Sequence, residues 1–131
     1  MVLLAVRGEL ALTEKIAILG STGSIGTNTL QVIQEHPEHF TVVALAAGRN
    51  ISRLIDQIQL FRPQLVSVQT KELAEQVRER IGHQVRVTWG EEGLIEVATH
   101  PDATFVVSSL VGSLGLKPTL AAIQAGKKIG L

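Results

Sequence analysis

The chain has 131 residues, which suits one domain, and 45% of them are hydrophobic, enough for a substantial core. Its 12 basic and 12 acidic side chains cancel, so no net field draws the surface to nucleic acid or anionic lipid, and we expect neither as a partner. The absence of cysteine excludes disulfides, thiolate nucleophiles and cysteine-ligated zinc, and it fits a cytoplasmic location.

The first residues, 1–14, are interpreted as an N-terminal extension of a domain that covers residues 15–131. Arg7 and Glu9 interrupt the apolar start, which therefore lacks the pattern of a secretory signal. No later stretch approaches the roughly 20 apolar residues of a membrane-spanning helix. We therefore expect a soluble protein that does not enter a membrane.

The first predicted strand, Lys15–Leu19, runs directly into a glycine-rich segment. The strand is a short apolar run, and Gly20–Gly26 places three glycines in seven residues at its carboxyl end. Helical periodicity resumes from Ile25. The first N–H groups of such a helix lack an intrahelical acceptor and lie at the positive end of its dipole, so a diphosphate can supply the missing partners. The segment therefore predicts the phosphate-binding turn of a nucleotide-binding fold.

The spacing of the glycines, GxxGxxG, differs from the more familiar GxGxxG and is weak evidence without its context. A P-loop needs Lys-Ser or Lys-Thr after the last glycine, whereas this chain has Thr27 and Asn28 there, which disfavours an NTPase. A plain tight turn between strand and helix is the alternative, and it explains one glycine better than three.

Beyond this segment, strand and helix patterns alternate. Strands are predicted at Phe40–Ala47, Gln64–Val68, Val85–Trp89, Phe105–Ser108 and from Lys128. Helices are predicted from Ile25 to Pro37, from Ile51 to Phe61, from Thr70 to Gly82, over Glu91–Thr99, and where Leu116, Leu120 and Ile123 recur before Gly126. Asn50 and Thr70 are expected to cap their helices, and Gly82 to end one in the left-handed conformation. This order predicts an α/β fold with a Rossmann-like, doubly wound parallel sheet and helices on both faces, in three layers.

The end of the second strand bears on the choice of dinucleotide. NAD-binding versions of this fold carry an acidic side chain about 20 residues past the glycines, which binds the adenine ribose. No Asp or Glu occurs from Phe40 to Ser52, and the strand is followed by Gly48, Arg49 and Asn50. A guanidinium there suits a 2′-phosphate, so we predict NADPH as the cofactor. The alternative is that Arg49 is only a solvated loop charge.

A second wall of the cofactor site is predicted at Ser108–Gly112, because ligands of open parallel sheets lie beyond the strand ends where the strand order reverses. Val111 and Gly112 are the candidate contacts, and Gly112 would let a ligand approach closely. A glycine that is required only by the turn is the alternative.

Residues suited to catalysis or metal binding do not cluster in the sequence. The four histidines lie near helix ends or turns, without the i, i+4 spacing of metal ligands. They are His36, His39, His83 and His100. Three glutamates follow helical spacing beside arginines, as on a solvated helix face, namely Glu72, Glu75 and Glu79. We predict no catalytic residue and no metal site in this chain, and we expect the catalytic part beyond Leu131.

Three segments together resemble a known family. They are Ile18–Gly26, Pro37–Asn50 and Gly115–Lys127. In order and spacing they are similar to 1-deoxy-D-xylulose 5-phosphate reductoisomerase over about residues 15 to 131. Residues 1–13 lie outside the family pattern, and Gly130 stands where the family usually has a larger residue.

The resemblance implies the NADPH-binding domain of an enzyme of non-mevalonate isoprenoid biosynthesis. That enzyme rearranges and reduces 1-deoxy-D-xylulose 5-phosphate to 2-C-methyl-D-erythritol 4-phosphate with a divalent metal, Mg or Mn, and it is usually a homodimer. The motif implies that the cofactor phosphates are held after Gly20 by Thr22, Gly23, Ser24 and Ile25. It implies that the adenine ribose and its 2′-phosphate are surrounded by Gly48, Arg49 and Asn50. Substrate and metal ligands are implied to follow Leu131, so the fragment alone is expected to be inactive.

Two other functions stay open at this stage. The NADP-binding half of another oxidoreductase, such as aspartate-semialdehyde dehydrogenase, has a similar loop, although the segment Pro118–Ile123 argues against it. A non-catalytic nucleotide sensor needs only the glycine-rich loop, and its hallmark is ligand-dependent association with a protein partner.

Overall fold

The computed structural model describes residues 13–130, which form one sheet of six parallel strands with five α-helices. The strands are β1 (Glu14–Leu19), β2 (Phe40–Ala46), β3 (Leu65–Val68), β4 (Arg86–Trp89), β5 (Phe105–Ser108) and β6 (Lys128–Gly130). The helices are α1 (Ser24–Glu35), α2 (Ile51–Phe61), α3 (Lys71–Ile81), α4 (Gly90–Ala98) and α5 (Leu116–Gln124). Each predicted strand and helix is present, and the predicted α/β fold class is confirmed. A short 3-10 helix, Gly112–Gly115, precedes α5 and was not predicted.

The order of the strands in the sheet is β4-β3-β2-β1-β5-β6. The chain moves outward from β1 to β4 and then returns through α4 to add β5 on the other side of β1. The order therefore reverses between β1 and β5. The carboxyl ends of the three central strands are flush, because Leu19 is in register with both Ala46 and Ser108. Open parallel sheets bind their ligands in the crevice at such a reversal.

Alternate residues of β1 point to opposite faces of the sheet, as the pleat of a strand requires. Ile16 and Ile18 belong to a core that is shared with α1, α2 and α3, which we call the α1–α3 face. Ala17 and Leu19 belong to a second core that is shared with α4 and α5, the α4–α5 face. The sheet is thus covered on both sides, as the near-continuous apolar strands predict.

The last helix, α5, was predicted at the right place, but the residues that marked it in the sequence do not form its buried side. Leu116, Leu120 and Ile123, the residues that marked it in the sequence, are 67%, 50% and 55% exposed. The residues of α5 that pack inward are Pro118 and Ala122. Periodicity identifies side chains that share a helix face, but it does not show whether another element covers that face.

Local sequence signals set three of the helix ends. Asn50 Oδ1 accepts a hydrogen bond from Arg53 N at 3.1 Å, and Thr70 Oγ1 accepts one from Leu73 N at 3.2 Å, so both predicted caps are confirmed. Gly82 ends α3 with φ 70° and ψ −143°, a positive φ outside the left-handed helical region that was predicted. Such a ψ lies in a region that essentially only glycine adopts.

The amino-terminal boundary differs slightly from the prediction. β1 begins at Glu14, one residue earlier than expected, and residues 1–12 of the proposed extension lie outside the described residues. Within residues 13–130, no helix is both long enough and apolar enough to cross a bilayer.

Candidate functional site

The glycine-rich loop begins with a tight turn that attaches it to β2. Gly20 has φ +85°, a conformation that suits glycine, and it follows the last residue of β1. The N–H groups of Gly20 and Ser21 both donate to the carbonyl oxygen of Ala46, at 2.8 and 2.9 Å. These two amides are therefore already paired, and the loop is fixed against the carboxyl end of β2.

The amides at the start of α1 have no partner among the residues that the structure describes. Gly23 is the N-cap of α1 and has no side chain that could cap it. The first helical hydrogen bond runs from Thr27 N to the Gly23 carbonyl oxygen, at 2.9 Å. Among residues 13–130, the N–H groups of Ser24, Ile25 and Gly26 find no acceptor. Together with the positive end of the helix dipole, three such donors form an anion-binding site.

Close packing explains two of the three glycines. A Cβ on Gly26 would collide with the Gly20 carbonyl oxygen and would lie 2.7 Å from Ser21 Cα. A Cβ on Gly20 would lie 2.6 Å from Ser109 Oγ. Gly23 is exposed, and the nearest atom to its hypothetical Cβ is 3.7 Å away. A plain turn requires only Gly20. The close approach of α1 to the loop requires Gly26, and the exposed Gly23 leaves room for a ligand.

The predicted ribose-binding segment lies at the carboxyl end of β2. Gly48, Arg49 and Asn50 are all exposed. Arg49 Nη1 donates to Gln69 Oε1 at 3.3 Å, and among the described residues no carboxylate lies within ion-pair distance of Arg49. Asn50 uses its side-chain oxygen to cap α2, as described above. The Arg49 guanidinium is thus oriented by a neutral partner and keeps its charge free for an anion.

A groove of about 390 Å³ connects this segment with the predicted second wall. It runs along the carboxyl ends of the strands from Gly48, past Gln69 and Leu94, to Leu110 and Leu114. The structure therefore brings Gly48 and Leu110 to one cavity, whereas Val111, a predicted contact in the second wall, is 83% exposed and does not line it.

The other predicted contact in the second wall, Gly112, has φ +64°, and no atom lies within 4 Å of its hypothetical Cβ. The positive φ gives a backbone reason for glycine at this turn. A close contact with a ligand stays a prediction.

Three supporting side chains were not predicted, of which two hold the glycine-rich loop and one orients Arg49. Gln57 Nε2 donates to the Ser21 carbonyl oxygen at 3.0 Å, and Arg53 Nη1 lies 3.5 Å from the Thr22 carbonyl oxygen. Gln69, which orients Arg49, is the third. One signal in the sequence pointed to Gln57, since this polar residue lies at helical spacing between the apolar Leu54 and Phe61.

Two arginines of a second cleft have structural partners. A cleft of about 570 Å³ at the outer edge of β4 contains Arg86, which pairs with Glu96 at 2.6 Å. In the same cleft, Arg78 donates to the Val87 carbonyl oxygen at 2.7 Å and lies 5.8 Å from the centre of the Trp89 ring. These contacts join α3 and α4 to the edge strand. The two arginines of the cleft thus have structural roles, and neither is placed as a reactive group.

Clusters of metal-binding side chains and groups with a shifted pKa are sparse among the described residues. Over residues 13–130, no group of three or more His, Asp or Glu side chains could hold a metal ion. His100 has its pKa lowered, mainly by burial and further by the charges of Lys127 and Arg86, while Asp102 opposes the shift. His100 lies in the segment before β5, near the opposite end of the strands from the glycine-rich loop.

Comparison with known proteins agrees with this geometry. The model of one protein family, 1-deoxy-D-xylulose 5-phosphate reductoisomerase, matches residues 16–131. A reductoisomerase of that name from Bacillus thuringiensis subsp. konkukian is 53% identical over 116 residues, which cover 88% of this chain and 30% of the relative. The chloroplastic reductoisomerase of Oryza sativa subsp. japonica is 51% identical over 119 residues, which cover 88% of this chain and 25% of the relative.

Solved structures of the same enzyme have the same fold. A crystal structure of DOX-P reductoisomerase in complex with magnesium matches with a TM-score of 0.86 and 35% identity, over 91% of this chain and 30% of that one. The Zymomonas mobilis reductoisomerase in complex with NADPH matches with a TM-score of 0.83 and 32% identity, over 89% of this chain and 31% of that one.

These matches cover almost all of this chain but less than a third of each protein named above. They decide against the alternative of aspartate-semialdehyde dehydrogenase. The chain belongs to the 1-deoxy-D-xylulose 5-phosphate reductoisomerase family.

Proposed function

We propose that this chain is the NADPH-binding part of a 1-deoxy-D-xylulose 5-phosphate reductoisomerase. The observation that supports this function best is the pairing of two features at the carboxyl ends of β1 and β2. The free amides of Ser24, Ile25 and Gly26 form an anion site, and the exposed guanidinium of Arg49 offers a second one. A relative of known structure from Zymomonas mobilis is described as a complex with NADPH.

The residues present fit this cofactor. The diphosphate would be held by the first amides of α1, next to the exposed Gly23, where no side chain blocks its approach. Arg49 would hold the 2′-phosphate, since a guanidinium matches the geometry of a phosphate with two donors. The groove beyond Gly48 and Leu110 would receive the rest of the molecule. When bound, NADPH supplies a hydride, and this chain's residues bind and orient its carrier.

The reaction and its other requirements belong to the longer protein in this proposal. The substrate is a sugar phosphate, 1-deoxy-D-xylulose 5-phosphate, which is rearranged and reduced to 2-C-methyl-D-erythritol 4-phosphate with a divalent metal. Relatives of known structure are described as complexes with magnesium and with fosmidomycin. We further propose that the longer protein is a cytoplasmic homodimer. In this proposal, residues 13–130 contribute the binding of the cofactor.

The proposal is tested by titrating the chain with NADPH and with NADH, following the change in nicotinamide fluorescence. The wild-type chain should bind NADPH more tightly than NADH. Arg49→Ala should weaken NADPH binding about tenfold or more and leave NADH binding nearly unchanged, because only NADPH carries the 2′-phosphate.

Arg80→Ala is the matched control. Arg80 is exposed and lies near the carboxyl end of α3, away from the candidate site. A wild-type chain that binds neither cofactor would contradict the proposed function. An equal loss of NADPH and NADH binding in Arg49→Ala would remove Arg49 from the role of 2′-phosphate ligand.

A further inference from the structure

The carbonyl oxygens of the glycine-rich loop are all held from outside the loop or by the first turn of α1. On the β5 side, Ser109 Oγ lies 2.9 Å from the Leu19 carbonyl oxygen and 3.0 Å from that of Gly20. On the α2 side, Gln57 and Arg53 approach the carbonyl oxygens of Ser21 and Thr22. With these oxygens turned away, the amides at the start of α1 face the crevice.

The two side chains from α2 are matched to the loop. Gln57 and Arg53 are four residues apart, so they lie on one side of the helix, one turn from each other. They meet the carbonyl oxygens of two consecutive residues, Ser21 and Thr22. The contact of Gln57 is the stronger of the two, because its distance is 3.0 Å and both residues are buried, whereas Arg53 is exposed and 3.5 Å away.

Burial makes the Gln57 contact specific. Gln57 is 7% exposed and Ser21 is 0% exposed, so no solvent replaces the bond if the amide donor is removed. The other side-chain atom, Gln57 Oε1, is buried and has no partner among the described residues. Burying a glutamine costs more free energy than burying an apolar side chain of the same size, unless its polar atoms form hydrogen bonds. This cost points to a function for the Gln57 donor.

We propose that Gln57 is a positioning residue that fixes the glycine-rich loop in the conformation that binds the diphosphate of a dinucleotide. This inference rests on the proposed function. Through Gln57, the loop is attached to α2, the helix that begins beside Arg49. Without this bond the loop samples conformations in which its amides do not converge, and binding must then order it. Since NADPH and NADH share the diphosphate, removal of the bond should weaken both equally.

The test is Gln57→Met, which keeps the length and volume of the side chain and removes the donor. We expect the dissociation constants for NADPH and NADH to rise by the same factor, about fivefold. Gln59→Met is the matched control, because Gln59 is exposed on the same helix and should leave both constants unchanged. A purely structural role would lower the melting temperature of Gln57→Met and leave the affinity of the folded chain unaltered, and that outcome would overturn the inference.

The outcomes separate this inference from the proposed function. Failure of the wild-type chain to bind either dinucleotide counts against the proposed function, whereas wild-type binding with an unchanged affinity in Gln57→Met counts against Gln57 alone. If Gln57→Met does not fold, the wild-type chain supplies the test by nuclear magnetic resonance. The side-chain amide protons of Gln57 should then exchange with water more slowly after addition of NADPH or NADH, and an unchanged rate would contradict the role.

Discussion

The two faces of the sheet are covered in different ways. Among the described residues, the core of the α1–α3 face contains 21 buried residues, of which two are alanine. The core of the α4–α5 face contains 11, of which six are alanine. Small side chains let α4 lie close to the sheet, and a Cβ on Gly93 would collide with Ser67 Oγ. The first face is therefore filled by large branched side chains, and the second by close approach of the backbone.

This difference has a consequence for the candidate site, which lies between the two faces. The glycine-rich loop is attached to the α1–α3 side through Gln57 and Gly26. The opposite wall, Leu110–Leu116, carries exposed apolar side chains, of which Val111 and Leu114 are 83% and 59% exposed. The loop side of the candidate site is thus held by buried contacts, while the other side leaves apolar surface open.

The largest expected effect compares one leucine from each face. Leu54→Ala, in the core of the α1–α3 face at 0% exposure, should lower the free energy of unfolding by about 2–5 kcal/mol, because it leaves a cavity. Leu116→Ala on α5 should change it by less than about 0.5 kcal/mol, since Leu116 is exposed. Urea unfolding of both variants measures the difference. A similar cost at the two positions would mean that α5 is covered in solution and would break the comparison.

A glycine on the α1–α3 side gives the next effect. Alanine is usually better than glycine in a helix, by about 1 kcal/mol, but Gly26→Ala should instead destabilise the chain by about 1–3 kcal/mol. The reason is that its Cβ would overlap the Gly20 carbonyl oxygen. Gly48→Ala is the matched control, because no atom lies within 4 Å of its hypothetical Cβ. Thermal unfolding of both variants is the measurement, and a stabilised Gly26→Ala would show that α1 does not pack closely on the loop.

The smallest effect concerns the α4–α5 side, at His100. Burial lowers the pKa of His100 in the folded chain, so the unfolded chain binds the proton more readily. The stabilising effect of the neutral form is complete above the unfolded pKa of about 6.5 and is lost as the pH falls through the lower folded pKa. When the pH is lowered from 7.5 to 5, the melting temperature of the wild type should therefore fall slightly more than that of His100→Gln.

The same substitution at the exposed His83 controls for the loss of a histidine. If the wild type and His100→Gln respond identically to acid, burial of His100 has no influence on the stability of this face.

The sequence was sufficient for features that depend on neighbouring residues. The alternation of strands and helices, the caps at Asn50 and Thr70, and the turn at Gly20 all follow from short-range patterns, and the structure has them. The family resemblance also came from short segments, and the comparisons confirm it.

Features that depend on distant contacts were not accessible in this way. Gln57 meets the Ser21 carbonyl oxygen across 36 residues of sequence, and Ala46 accepts the amides of Gly20 and Ser21 from the neighbouring strand. The sequence also did not show which side of α5 packs inward, because the small side chain of Ala122 gives no hint that this residue is buried while Leu120 is half exposed. Such contacts are set by the fold as a whole, so a local pattern carries little trace of them.

The backbone of the glycine-rich loop offers its N–H donors to the crevice, since each carbonyl oxygen from Leu19 to Gly23 has a donor within 3.5 Å. A surface of this kind attracts small anions in general and recognises none in particular. Under the proposed function, selection between related dinucleotides would then depend on Arg49, an exposed side chain on a separate segment. The cofactor preference could in that case be changed at this one residue by evolution or protein engineering while the strand-to-helix junction stays intact.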